Sequence, residues 1–310
     1  MAMEAPVVST SLPGRMCASL AGEWRQAWPA QRFAYLAGAA LIVVGLAHLA
    51  AWLVVGGAWQ GPVSFRKPAT FGVSFGLTTI TLAWVTGRLR VTGRTRWLLL
   101  GPLALADTAE VAWVAVQRWR GVASHFNFAT TADTALFLGG AAAIAVTVTV
   151  IVALTVLAFT NMRAAPSMAV AVRAGLVILL VAQGVGGWMI GHGVGPASDG
   201  VTAGLTTFGP AGVMKVPHAV VMHAIQVLPA LAWLLGFAAL PERRRVGLVW
   251  AATVGYGALV AVSVAQTAAG LAPLDIGVAT AALSLLGVAL LGAAFGAALL
   301  ALRHPTQAPT

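Results

Sequence analysis

Eight stretches of this sequence, at about 33–57, 69–87, 97–117, 132–160, 174–192, 217–240, 246–269 and 276–302, are apolar over the length a bilayer demands. Seven of them carry no charged residue in their interior. A spanning helix needs about 20 apolar residues to cross roughly 30 Å of hydrocarbon. Backbone amides in lipid must bond within their own segment, so runs of this length are helices. A transmembrane barrel needs short alternating segments instead, and none is present. The expected fold is therefore an all-α integral membrane protein of about eight transmembrane helices.

Composition agrees. Only 8% of the 310 residues are charged, against roughly 25% in soluble domains. The net charge of +10 raises nucleic acid as a partner, but the cations sit at helix ends and form no basic stripe with interleaved aromatics, so nucleic acid is excluded. Cys17 is the single cysteine, which rules out an intrachain disulfide or a cysteine-based metal site. Arginine far outnumbers lysine amid abundant Gly, Ala and Val, a composition typical of a GC-rich bacterial genome. Residues 1–30 lack the apolar core and cleavage site of a signal peptide and read as a cytoplasmic leader without fixed structure. Residues 31–303 are the membrane domain and 304–310 a cytoplasmic tail.

The positive-inside rule orients the chain. With both termini in the cytoplasm, the inner segments collect 13 of the 18 basic residues, in groups around Arg15–Arg32, Arg88–Arg96, Arg163–Arg173, Arg243–Arg245 and Arg303. The other five, Arg66, Lys67, Arg118, Arg120 and Lys215, fall on the outer side. Because cations there oppose the topogenic signal, they point to an anionic ligand or cofactor at the outer face of a bacterial inner membrane. A weak parallel repeat of four plus four helices is also visible. Gly61-Pro62 with Lys67-Pro68 is echoed 148 residues later by Gly209-Pro210, with Lys215 and Pro217 following.

The third window holds Asp107 and Glu110, three residues apart and so on one helix face, with Gln117 continuing the stripe. Acids at membrane depth usually face a bundle interior and carry function, so both are candidates for proton transfer. Five of the six histidines, His48, His125, His192, His218 and His223, fall in the outer half, and only His304 lies elsewhere. His218 and His223 are five apart, about 140° around a helix, so one ion would need ligands from different helices, for example His48 with His223. No HExxH or cysteine pattern is present. The Gly193–Lys215 stretch, rich in Gly, Ser, Thr and Pro with one acid, Asp199, reads as a loop over the outer site.

The segments Arg120-Gly-Val-Ala-Ser-His125-Phe126-Asn127, His218-Ala-Val-Val-Met-His223-Ala-Ile-Gln-Val-Leu-Pro229 and Gly61-Pro-Val-Ser-Phe-Arg-Lys-Pro68 together resemble a family of bacterial, largely actinobacterial, hypothetical membrane proteins. The resemblance covers most of residues 35–240. It implies a membrane fold and, with no activity established for that family, no chemistry.

These readings converge on an outward-facing pocket among the first, second, third, fifth and sixth spans. Asp107 and Glu110 form its floor, with His223 as a further proton carrier. His48, His218, His223 and His125 are its ligands, with Asn127 beside them, and Arg66, Lys67, Arg118, Arg120 and Lys215 its rim. Such a set suits haem b or a divalent metal, or an enzyme acting on an anionic lipid or quinone-like molecule through an acid–histidine pair. Two other classes compete: a proton-coupled permease using the acids and histidines as a relay, and a structural or assembly subunit. The oligomeric state is not encoded in any of these features.

Overall fold

A computed structural model of the chain describes residues 11–198 and 211–303. Asp199, Gly209, Pro210 and His304 lie outside the described residues. Among those described, the chain is helical throughout: α1 (Leu12–Gln26), α2 (Pro29–Val55), α3 (Arg66–Thr86), α4 (Gly93–Trp119), α5 (Thr131–Thr160), α6 (Pro166–Ser198), α7 (Lys215–Met222), α8 (Ala224–Leu235), α9 (Glu242–Ala268) and α10 (Val278–Leu302). Eight membrane-length spans result, with α7 and α8 forming one span interrupted at His223. Many outward Leu and Val side chains, such as Val43, Leu53, Leu285 and Leu299, are exposed. In a polytopic membrane protein that surface meets acyl chains rather than water.

The bundle has two ends. The proximal end carries the 87–92, 161–165 and 236–241 turns; the distal end carries the 56–65, 120–130 and 269–277 segments. At the proximal end α1, inside the segment assigned to the leader, is N-capped by Ser11, whose hydroxyl accepts from Gly14 N. It touches both halves of the bundle: Glu23 pairs with Arg88 at 2.5 Å, Arg88 stacks on Trp84, and Trp233 Nε1 donates to Ser19 Oγ.

Trp84 and Trp233 are not an arbitrary pair. The chain is internally duplicated, and the offset that the structure gives is 149 residues. Helix α4 spans 93–119 and α9 spans 242–268; α3 begins at Arg66 and α7 at Lys215. The residues capping those two starts, Phe65 and Met214, share one backbone conformation (φ −62°, ψ −23° and φ −61°, ψ −23°). Side-chain and turn hydrogen bonds repeat with the same offset. Arg96 Nη2 donates to Leu89 O and Arg245 Nη2 to Ala238 O. Gly121 N bonds Arg118 O and Gly270 N bonds Thr267 O, with both glycines left-handed at φ 73° and 70°. The equivalent glutamines Gln117 and Gln266 also both donate, though to acceptors that are not equivalent: the Asp133 carboxylate and the Asp275 backbone carbonyl. A left-handed helix terminus of this kind favours glycine.

Packing follows the duplication. In the first half α2 packs on α3 and α4, α3 on α4, and α4 on α5. In the second, α6 packs on α7–α8 and α9, α7–α8 on α9, and α9 on α10. Contacts of α5 with α6 and of α3 with α8 join the halves. Glycines bring the tightest pairs together, as expected where lipid supplies no hydrophobic drive between helices. Gly38 and Gly45 of α2 face Gly76 and Gly72 of α3, and Gly255 faces Gly287.

Candidate functional site

The two acids of α4 sit in different surroundings. Asp107 is fully buried, and its carboxyl oxygens accept from Thr79 of α3 at 2.6 Å and Thr147 of α5 at 2.7 Å. Thr79 Oγ1 also lies 2.8 Å from Phe75 O. One hydroxyl proton cannot serve both acceptors, so an ionised Asp107 satisfies one of these contacts and a protonated one satisfies both. In either form Asp107 ties three helices together, a typical role for a polar residue between membrane helices.

Glu110, one turn nearer the distal end, is 1% exposed, and its Oε2 has no hydrogen-bond partner among the described residues. The Nε1 of Trp113, three residues on, is also buried without a partner. Both side chains press against Gly140 of α5, where any Cβ would meet the indole and Oε2. Glu110 Oε1 lies 3.4 Å from His125 Nε2.

His125 reaches Glu110 because the 120–130 segment folds inward. Its ring stacks on Trp113 (centroids 4.7 Å apart, planes at 31°), with Phe71 and Phe137 edge-on. Ser124 Oγ lies 3.1 Å from Nδ1, so the two ring nitrogens face a hydroxyl and a carboxylate respectively. The next residue, Phe126, has φ 55°, a left-handed conformation that a bulky side chain adopts at a cost of about 1–3 kcal/mol. Its ring packs on Phe137 and fills the space left at Gly193. Two locks hold the segment. Asn127 donates to Ala123 O and accepts from Ala129 N. Asp133, 3% exposed, accepts from Arg120 at 2.7 Å, Gln117 at 2.9 Å and Thr130 at 2.8 Å.

Lys67, in the first turn of α3, is within electrostatic reach of both Glu110 and His125. Arg66 and Lys215 act on Lys67, and Arg66 on Lys215. Three cations from the equivalent starts of two duplicated helices thus converge, at the ends where the helix dipoles are also positive.

The remaining expected residues lie elsewhere. Arg118 stacks on Phe65, 3.7 Å from the ring centroid, beneath the 56–65 segment, and Arg120 is engaged with Asp133. His48 bonds Val44 O through Nδ1 and accepts from Trp119 through Nε2, which leaves it no free nitrogen for a metal or haem. His218 Nδ1 bonds Ala182 O, and His192 Nδ1 bonds Trp188 O. His223 sits at the α7–α8 break, where its carbonyl accepts from Gln226 N and Val227 N. The amide of Gln226 lies 3.4 Å from Thr78 Oγ1, linking the halves. Among the described residues no three His, Cys, Asp or Glu side chains are grouped to hold a metal. Sequence reasoning missed Thr79 and Thr147, which are unremarkable in themselves, and placed Asp133 only at a window edge. The shared spacing of Gln117–Gly121 and Gln266–Gly270 was the available clue to the distal lock.

Burial and the nearby Lys67 hold the pKa of His125 well below its ordinary value, with Glu110 the other ionisable group against the ring. Between that lowered value and about 6.5 the unfolded chain binds the extra proton, so stability is lost as pH falls through this window. In anion-free detergent solution His125 contributes an acid-side loss of up to about 1.4 kcal/mol per pH unit to the unfolding free energy. His125→Gln flattens that slope; parallel pH profiles for the two proteins would contradict the assignment.

No family model, curated protein or solved structure matches this chain.

Proposed function

We propose that this membrane protein binds an oxyanionic ligand at the distal end of its first four-helix half. Lys67 is the anchor, Arg66 and Lys215 form the rim, and the Glu110–His125 pair exchanges a proton with the ligand. The observation that carries this reading is the placement of Lys67 within electrostatic reach of Arg66, Lys215, His125 and the buried Glu110 carboxylate. Like charges in a medium of low dielectric repel one another, and an anion beside Lys67 lowers that repulsion. Trp113 Nε1, on the indole stacked against His125 and without a partner among the described residues, is a donor of the kind an oxyanion recruits. Asp107 is the positioning residue that fixes α4 against α3 and α5.

The permease reading has less support. Below Asp107 the α4 face continues into fully buried Leu103 and Leu100, which offer no group to carry a proton onward. A haem held by His48 and His223 loses its first ligand to Trp119 and Val44.

The test is thermal unfolding of the detergent-purified protein titrated with inorganic phosphate and, separately, with phosphatidylglycerol in the micelle. Stabilisation that saturates, and is at least tenfold weaker in Lys67→Gln, supports the reading. The phosphate arm then points to a soluble ligand and the lipid arm to a headgroup. Absence of saturable stabilisation by either anion overturns it.

A further inference from the structure

The duplication predicts a counterpart of the charged site in the second half, 149 residues on. There a cavity of about 250 Å³ lies between α7, α9, α10 and the 269–277 segment. Four of its lining residues are counterparts of the charged site: Val216 stands where Lys67 does, Val220 for Phe71, Leu259 for Glu110 and Val262 for Trp113; Thr267 stands for the nearby Arg118. The counterparts of Lys67 and Glu110 are thus neutral, while Arg66 is matched by Lys215. The inserted loop is gone as well: Leu274, the counterpart of His125, is 84% exposed rather than tucked into the bundle.

We infer that this cavity is a second ligand site, for a neutral lipid-soluble molecule with a hydrogen-bonding carbonyl or hydroxyl head. Its lining combines aliphatic side chains with the polar residues Ser263, Gln266, Thr267 and Ser284 and carries no charge. Ser263 Oγ is buried and has no hydrogen-bond partner among the described residues, although a helical hydroxyl can bond the carbonyl four residues back, as Thr253 does to Val249 O. A buried hydroxyl left unpaired costs free energy that a ligand group can recover. The volume lies below the roughly 300 Å³ at which ligand pockets usually begin, so only a small, single-ring head group suits it. This site is independent of the anion reading, since none of the cations of the first half lines it.

The probe is a decyl-substituted 1,4-benzoquinone, titrated into the full-length protein in detergent and followed by the unfolding midpoint. The wild type is expected to bind saturably. Ser263→Ala weakens binding about 3- to 10-fold, the range for one lost neutral hydrogen bond, and Leu259→Trp, which fills the cavity, abolishes it. Lys67→Gln leaves quinone binding within twofold of wild type, so loss of the anion site and loss of this one are told apart. Wild-type affinity in both Ser263→Ala and Leu259→Trp overturns the proposal. If Leu259→Trp does not fold, unchanged binding in Ser263→Ala alone does so. Equal competition by decane also overturns it, because the cavity would then recognise apolar volume without the head group.

Discussion

Lys67→Gln is expected to weaken oxyanion binding by tenfold or more, and Glu110→Gln to strengthen it. The two side chains are within electrostatic reach of each other and carry opposite charges, so their neutralisation acts on an anion held beside them with opposite sign. A unit charge about 6 Å from the ligand at an effective dielectric of about 20 contributes roughly 3 kcal/mol. Salt lowers this, though less for partly buried groups, and a change of tenfold is the conservative expectation. Acidification should act in the same direction as Glu110→Gln, because protonating Glu110 or His125 makes the site more positive. Wild-type affinity therefore rises as pH falls, and that dependence shrinks in Glu110→Gln. The acid-induced loss of stability from His125 should be offset when anion is present. Isothermal titration with inorganic phosphate at two pH values measures all of this; equal affinities in the two variants would contradict the placement of Lys67 and Glu110 in one site.

The largest structural effect is expected from Gly76→Val. A Cβ at Gly76 would lie 2.5 Å from Gly38 O and 2.7 Å from Ile42 Cγ1. The first of these is backbone and cannot swing away, so α2 and α3 have to part. Overpacking typically costs 1–3 kcal/mol, and here the whole interface moves, so a loss of about 3 kcal/mol is expected, read from the shift in unfolding midpoint. Since α3 starts with Arg66 and Lys67, anion affinity should fall with it. Gly292→Val is the control: no atom lies within 4 Å of a Cβ there, and its midpoint should stay close to wild type. Equal behaviour of the two variants would show that close approach at Gly76 is not what holds these helices.

The spans were legible because hydrocarbon imposes one length and one secondary structure on every crossing segment. Helix ends were less so. The windows beginning at 97, 174 and 217 start later than α4, α6 and α7, which begin at Gly93, Pro166 and Lys215, because polar first turns such as Gly93-Arg-Thr-Arg96 fold as helix while lowering apparent hydropathy. Asp107 and Glu110 stood out as acids at membrane depth, yet their division of labour depends on Thr79, Thr147 and His125, residues distant in sequence. Of five cations with one expected role, three converge. Arg118 and Arg120 are drawn away by Phe65 and Asp133, partners that no local spacing reveals. The duplication was glimpsed through glycines and prolines at an offset of 148. Its clearer marks are Leu82-Ala-Trp-Val-Thr-Gly87 against Leu231-Ala-Trp-Leu-Leu-Gly236, a match whose meaning depends on the shared turns and arginine clamps that follow it.

The most direct test of the account is to locate the anion itself, by anomalous diffraction from crystals of the protein grown with selenate. The account predicts a selenium peak in the space shared by Lys67, Arg66, Lys215 and His125, and its loss in Lys67→Gln. A map with no peak there, at a selenate concentration that saturates thermal stabilisation, would contradict it.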